Sequence, residues 1–235
     1  MRGVLLSAVA FSLCGQIAFA QQSKGSYLVE HVKSTDGKYV TRTVPYEPNA
    51  GDLLFFDEYK THWVYLYKLV GSDGPHHSAI IYRKSTGEFG TAEAGPNDTL
   101  RCRVLPLLER LQGFDGTLHI RRVKTPLAKD REEALADWAE AQAGKRYALG
   151  RLALQMTPIR CRGPVRRDIF GQTYTDRNSY MCAELAMAGG TVAGLFDSKR
   201  TPGNAIYPRD IVYNDKYDLS ATHHEVQLWT AYPLR

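Results

Sequence analysis

The sequence predicts an α+β fold, one domain with a small antiparallel sheet packed against helices. Strand-like and helical stretches are intermixed without a βαβ rhythm. Among them, His77–Tyr82, the turn Ser85-Thr86-Gly87 and Phe89–Ala94 read as a hairpin. Leu135, Trp138, Ala139 and Gln142 recur at helical spacing with charges between them, and Gly144 stops that helix. The 235 residues are enough for one domain with its own core, and 43% hydrophobic with 23% charged residues is the balance of a globular chain rather than a disordered one.

Taken in order, residues 1–20 read as a cleaved export signal. Arg2 gives the positive start, Val4–Leu13 the apolar run, and Ala18-Phe19-Ala20 the cleavage site. The run is too short to span a bilayer, and Leu13 is bulkier than the residue that precedes a lipidated cysteine. The expected location is therefore secreted or periplasmic. Residues 21–47 form an N-terminal extension, with strands at Tyr27-Leu28-Val29 and Tyr39-Val40-Thr41 around the turn Ser34-Thr35-Asp36-Gly37. Residues 48–235 form the main domain. Asp52–Phe56 is a short buried strand, whereas His62–Leu69 is apolar and aromatic without a decisive period. Leu105–Leu111 reads as a short helix and Leu118–Val123 as a strand. The stretch 157–178 is rich in Arg, Pro and Gly and reads as a long loop. A second helix begins near Ser179 and ends by Gly189-Gly190 or by Gly194, and Asp210–Tyr213 reads as a strand.

Charge is mildly basic, formally +5, and losing Arg2 with the signal lowers it by one. There is no nucleic-acid motif to go with it. Arg160-Cys161-Arg162, with Arg166 and Arg167 behind, is either a solvated basic loop or a patch for an anionic surface, such as phospholipid head groups or cell-wall carboxylates. Cys14 leaves with the signal, so Cys102, Cys161 and Cys182 remain. An odd number in an oxidising compartment leaves at least one thiol without an intramolecular partner. A Cys102–Cys161 bridge would leave Cys182 free; the other two pairings stay open.

Cys182, in Ser179-Tyr180-Met181-Cys182-Ala183-Glu184-Leu185, is the residue on which function turns. With Asn178 or Ser179 as N-cap it falls in the first helical turn. There the unpaired N–H groups and the helix dipole favour a thiolate, and the same N–H groups suit a developing oxyanion. A small buried structural thiol is the competing reading. A nucleophilic thiol needs a base, and His77, opening an apolar strand after Gly74-Pro75-His76, is the best candidate over His62, His76, His119, His223 and His224. If Ser85-Thr86-Gly87 is a three-residue loop, Lys84 opposes Glu88 and Glu93 falls opposite Ala79, on the face of His77 and diagonal to it. A two-residue loop would turn Glu93 away. No metal or cofactor is expected: Cys161 and Cys182 are too far apart for a zinc knuckle, His223-His224 has no partner at ligand spacing, and there is neither a phosphate-cradling glycine motif nor a G-x-S-x-G elbow.

Gly51-Asp52-Leu53-Leu54-Phe55, His77-Ser78-Ala79-Ile80-Ile81-Tyr82, Glu93-Ala94, Gly144-Lys145-Arg146-Tyr147 and Tyr180-Met181-Cys182-Ala183-Glu184-Leu185, in that order, resemble the circularly permuted papain-like hydrolases of the NlpC/P60 superfamily, YiiX/YebB-like branch. Lecithin–retinol acyltransferase-like proteins are more distant relatives. The likeness covers roughly residues 48–213. It implies a papain-like fold with Cys182 as nucleophile, His77 as base, Glu93 as orienting acid and Tyr180 lining the site. It also implies acyl transfer. A thiol amidase or peptidase on cell-wall peptide is the first expectation. A lipid-directed esterase or acyltransferase is the second, prompted by the aromatic stretch Phe55–Leu69 beside the basic loop, and a non-catalytic binding domain is the third. The 157–178 stretch and the Tyr27–Val44 segment depart from the family pattern.

Overall fold

The computed structural model describes residues 24–58, 61–69, 72–95, 99–157, 165, 172–201, 203–214 and 217–234. The expected export signal, Cys161 and most of the basic 157–178 loop lie outside the described residues. Among the described residues ten strands make one mixed sheet, larger than the small sheet expected. They are β1 (Tyr27–Lys33), β2 (Tyr39–Pro45), β3 (Leu53–Glu58), β4 (His77–Arg83), β5 (Phe89–Gly95), β6 (Arg101–Pro106), β7 (Gly116–Arg121), β8 (Arg146–Tyr147), β9 (Ser179–Tyr180) and β10 (Gln227–Thr230). Their order is β2-β1-β10-β7-β3-β4-β5-β6-β8-β9. Every pairing is antiparallel except that of the two-residue strands β8 and β9. The helices are α1 (Thr61–Leu69), α2 (Leu107–Gln112), α3 (Lys129–Gln142), α4 (Leu149–Ala153), α5 (Cys182–Val192) and α6 (Pro208–Val212).

Side chains alternate across a strand, and the central strands show it. Leu53, Phe55, Ile80, Tyr82, Ala92 and Ala94 belong to one core, under α3 (Leu135, Ala139) and α5. Leu54, Phe56, Ala79 and Ile81 belong to a second core with Leu107 and Leu111 of α2 and with Leu118 and Ile120 of β7. The segment read as an N-terminal extension joins the same sheet: β1 and β2 form the expected hairpin at Ser34–Gly37, and β1 pairs with β10.

Three expectations are corrected. The helix read over Leu105–Leu111 starts at Leu107, because Leu105 and Pro106 still belong to β6. That strand was legible as Arg101-Cys102-Arg103-Val104, where charged and apolar residues alternate. The strand read at Asp210–Tyr213 is α6: Pro208 opens it, and the Asp210 carboxylate accepts the Tyr207 N–H at 2.8 Å, closing a helix start that the apolar pair Ile211-Val212 disguises. The cap of α5 is neither Asn178 nor Ser179. Met181 occupies the N-cap position, and the Glu184 carboxylate accepts its N–H at 3.1 Å.

Candidate functional site

The β4–β5 turn has the three-residue form. Lys84 N–H donates to Glu88 O at 2.8 Å, Gly87 takes φ +90° inside the turn, and Ala79 pairs with Glu93. His77 and Glu93 therefore share a face, and His77 Nε2 lies 3.1 Å from Glu93 Oε2. Glu93 has no exposed surface. Such a carboxylate needs compensation, and two guanidinium groups supply it: Arg103 Nη2 donates to Oε1 at 2.6 Å and Arg110 Nε to Oε2 at 2.9 Å. Arg103 is the direct cross-strand partner of Glu93 on β6, while Arg110 reaches in from α2 with its guanidinium 4.2 Å over the Phe56 ring.

Cys182 is the first residue of α5. The helix lies close on β4: a methyl group on Gly189 would stand 3.1 Å from Ile80 Cγ2. From Gly189 back to Cys182 is about 10 Å at ~1.5 Å per helical residue, and from Ile80 back to His77 is about 10 Å at ~3.3 Å per strand residue. At that end of the sheet the Cys182 thiol comes beside His77, although His77 points to the Glu93 face and α5 packs on the opposite, Ile80 face. Both are buried, 4% and 5% exposed. Burial alone pulls the imidazole pKa down. The hydrogen-bonding contact with Cys182, then the bond and charge of Glu93, outweigh it and raise the pKa to about 9. Glu93 is pushed up by burial, but the bond and charge of His77, with those of Arg110, hold it well below the ordinary carboxylate range. The ring nitrogens divide between the partners. Nε2 serves Glu93, and Nδ1 is buried without an aligned hydrogen bond, so it is the nitrogen left for the thiol.

A second buried carboxylate fixes the turn that carries Cys182. Glu184 accepts from Arg151 Nη2 and Arg177 Nη1, each at 2.7 Å, as well as from Met181 N–H. Tyr180, expected to line the site, is fully buried. Its hydroxyl donates to Thr175 O at 3.0 Å and accepts from Arg177 N–H at 2.9 Å, so it braces this turn from inside the core. Cys102 is a free buried thiol whose pKa burial raises to about 11.

The other histidines have structural surroundings. His223 is buried, 3.2 Å from Gly51 O and stacked on Phe196, and burial lowers its pKa to about 4. His119 packs edge-on to Tyr213. His76 lies 3.2 Å from Asp57 Oδ1 and packs on Tyr67. The side chain of His62 lies outside the described residues. Among the described residues no group of three or more His, Cys, Asp or Glu side chains could hold a metal ion, and no helix is long and apolar enough to cross a membrane. Sequence reasoning missed Arg103, Arg110 and the two arginines on Glu184. The alternation in β6 was a signal for Arg103; the others come from elements that only the fold brings near.

No protein-family model and no curated protein matches the chain. Among solved structures it is similar to the metalloprotein YiiX from Escherichia coli O157:H7 (DUF1105), with 16% sequence identity and a TM-score of 0.43 over 63% of this chain and 68% of that one.

Proposed function

We propose that the chain is an exported cysteine hydrolase that cleaves an amide bond in cell-wall peptide through Cys182, His77 and Glu93. The observation that carries this reading is the line of three buried groups. Glu93 takes one nitrogen of His77, Cys182 lies by the other, and Cys182 opens a helix. The sequence resemblance to permuted papain-like hydrolases supports it, and so does the basic charge for an anionic cell-wall substrate.

The proposed steps are those of thiol acyl transfer. The Cys182 thiolate attacks the carbonyl carbon, and the carbonyl π pair moves onto oxygen. Backbone N–H groups of the first α5 turn receive that oxyanion. Protonated His77 gives its proton to the leaving nitrogen as the C–N bond breaks, leaving a thioester. Neutral His77 then takes a proton from water, hydroxide adds to the thioester, and the acid leaves as Cys182 regains its thiolate. Glu93 keeps the ring oriented and stabilises the imidazolium.

A second reading, a lipid ester as substrate, is favoured by α1. Beside Tyr67, which faces His76, its Tyr65 and Leu69 are 66% and 74% exposed. The deciding experiment measures Cys182 alkylation against pH in the native chain and in His77→Ala, then release of amino acids from peptidoglycan fragments against release of fatty acid from phospholipid. Thiol reactivity that is indifferent to His77 would sink the enzyme reading.

A further inference from the structure

Tyr67 stands out among the groups around the thiol that the mechanism leaves unused. It is 8% exposed and sits in a small cluster with Ala148, Met181 and Tyr207, so it borders the residue just before Cys182. Its ring packs on His76 at 4.8 Å between centroids, next to the histidine of the proposed pair. Its neighbour Tyr207 is satisfied, with its hydroxyl donating to Gln155 Oε1 at 3.1 Å. No hydrogen bond joins the Tyr67 hydroxyl to a described residue, and part of the residue's surface stays exposed. Burial and the neighbouring Cys182 push its ionisation well above the ordinary tyrosine value, so it stays an O–H donor across the working range.

We infer that Tyr67 is a catalytic residue: its hydroxyl donates a hydrogen bond to the substrate oxygen as Cys182 adds to the carbonyl, from the side opposite the α5 backbone. The inference rests on the thiol-hydrolase reading and extends it. The chemistry is that of an oxyanion donor, which gains strength only as charge moves onto the carbonyl oxygen and the carbon–sulfur bond forms. No proton need leave the phenol. α1, whose pattern in the sequence was indecisive, then has a reason for its place: it carries one tyrosine inward beside Met181, the residue before the thiol.

Two reagents separate this role from packing. Iodoacetamide alkylates a thiolate by displacing iodide, with no oxyanion formed. p-Nitrophenyl acetate acylates the same thiolate through a tetrahedral oxyanion, releasing p-nitrophenolate. In Tyr67→Phe, which keeps the ring on His76, acylation of Cys182 is expected to fall about a hundredfold, while alkylation stays within about twofold. Affinity for a peptide aldehyde, whose thiol adduct carries the same oxygen, is expected to fall in parallel. Equal loss with both reagents would show that Tyr67 only supports the thiol's surroundings, and unchanged acylation would show that its hydroxyl touches nothing; either overturns the inference alone. A native Cys182 inert to both reagents overturns the thiol reading, and this inference with it.

Discussion

Arg110 and His77 meet on one oxygen atom. Arg110 Nε donates to Glu93 Oε2 at 2.9 Å, and His77 Nε2 lies 3.1 Å from the same Oε2. The arginine therefore competes with the imidazolium for one lone-pair region while helping to keep Glu93 ionised. Arg110→Met keeps an apolar stem over Phe56 but removes the cation. Freed of that neighbouring positive charge, His77 is expected to titrate above the native value of about 9. Titration of the His77 ring by NMR measures this, and a fall in its pKa would contradict the shared-oxygen arrangement.

Glu93→Gln removes the charge but keeps the shape. Two guanidinium groups are then left on a buried neutral amide, and His77 loses the anion that holds its proton. Truncating one partner of a buried charge cluster costs about 3–5 kcal/mol, so urea unfolding should show a loss of that order. The His77 pKa should also fall, the opposite direction to Arg110→Met. A variant as stable as the native chain would mean that Arg103 and Arg110 find other partners.

Stability should depend on pH in a defined direction. The His77 pKa is raised on folding, from 6.5 to about 9, so its contribution is fully present below pH ~6.5 and is lost as the pH rises through about 9. Glu93, held low, contributes above its unfolded value and loses that contribution as the solution becomes acidic. Thermal unfolding scanned between pH 6.5 and 9 should show the melting temperature declining in the native chain. The decline should be shallower in His77→Gln, and parallel curves would refute the assignment.

Gly189 sets how closely α5 packs on β4 and Trp138. A Cβ there would stand 3.0 Å from Trp138 Cζ3 and 3.1 Å from Ile80 Cγ2, so a methyl must displace a packed neighbour and an isopropyl group must displace the helix. Gly189→Val is expected to destabilise by about 1–3 kcal/mol through overpacking, and to cut Cys182 alkylation by lifting α5 off β4. Chemical denaturation and alkylation rates on the same sample test both; a destabilised variant with native thiol chemistry would show that the helix start is held independently, by Glu184.

Gly51 is required for its backbone. Its φ is +95°, and an added Cβ would lie 2.8 Å from Leu195 Cδ1. Gly51→Ala meets both penalties, a left-handed backbone at roughly 1–2 kcal/mol and a contact with Leu195. Equilibrium unfolding with a loss of less than about 1 kcal/mol would count against the strained turn.

The site was legible where the information was local. The offset of Glu93 from His77 follows from counting outward through Ser85-Thr86-Gly87, and strand alternation then fixes the shared face. The place of Cys182 at a helix start was legible too, although its cap was not. Glu184 caps the backbone from inside the helix, whereas Asn178 and Ser179 looked like caps by residue type alone. Arg110, Arg151 and Arg177 reach their carboxylates across the fold, which no short-range period reports. The short strand β10, interior to the sheet, was missed because Gln227–Thr230 is four residues long and is strand only through its pairing with β1 and β7. Tyr180 turns its ring into the core, which its position two before the cysteine does not report.

His77 and Glu93 are sixteen residues apart on one hairpin, while Cys182 arrives on a helix much later in the chain. Closing a short hairpin costs little chain entropy; docking a distant helix costs more and depends on the sheet already standing. The order of assembly is therefore built into the topology. His77 and Glu93 come together as a local unit, and Cys182 meets them only when α5 settles against β4 along Gly189. On the proposed thiol-hydrolase reading, the reactivity that His77 lends Cys182 is gained last during refolding, making the alkylation rate of Cys182 a clock for the final docking step rather than for collapse.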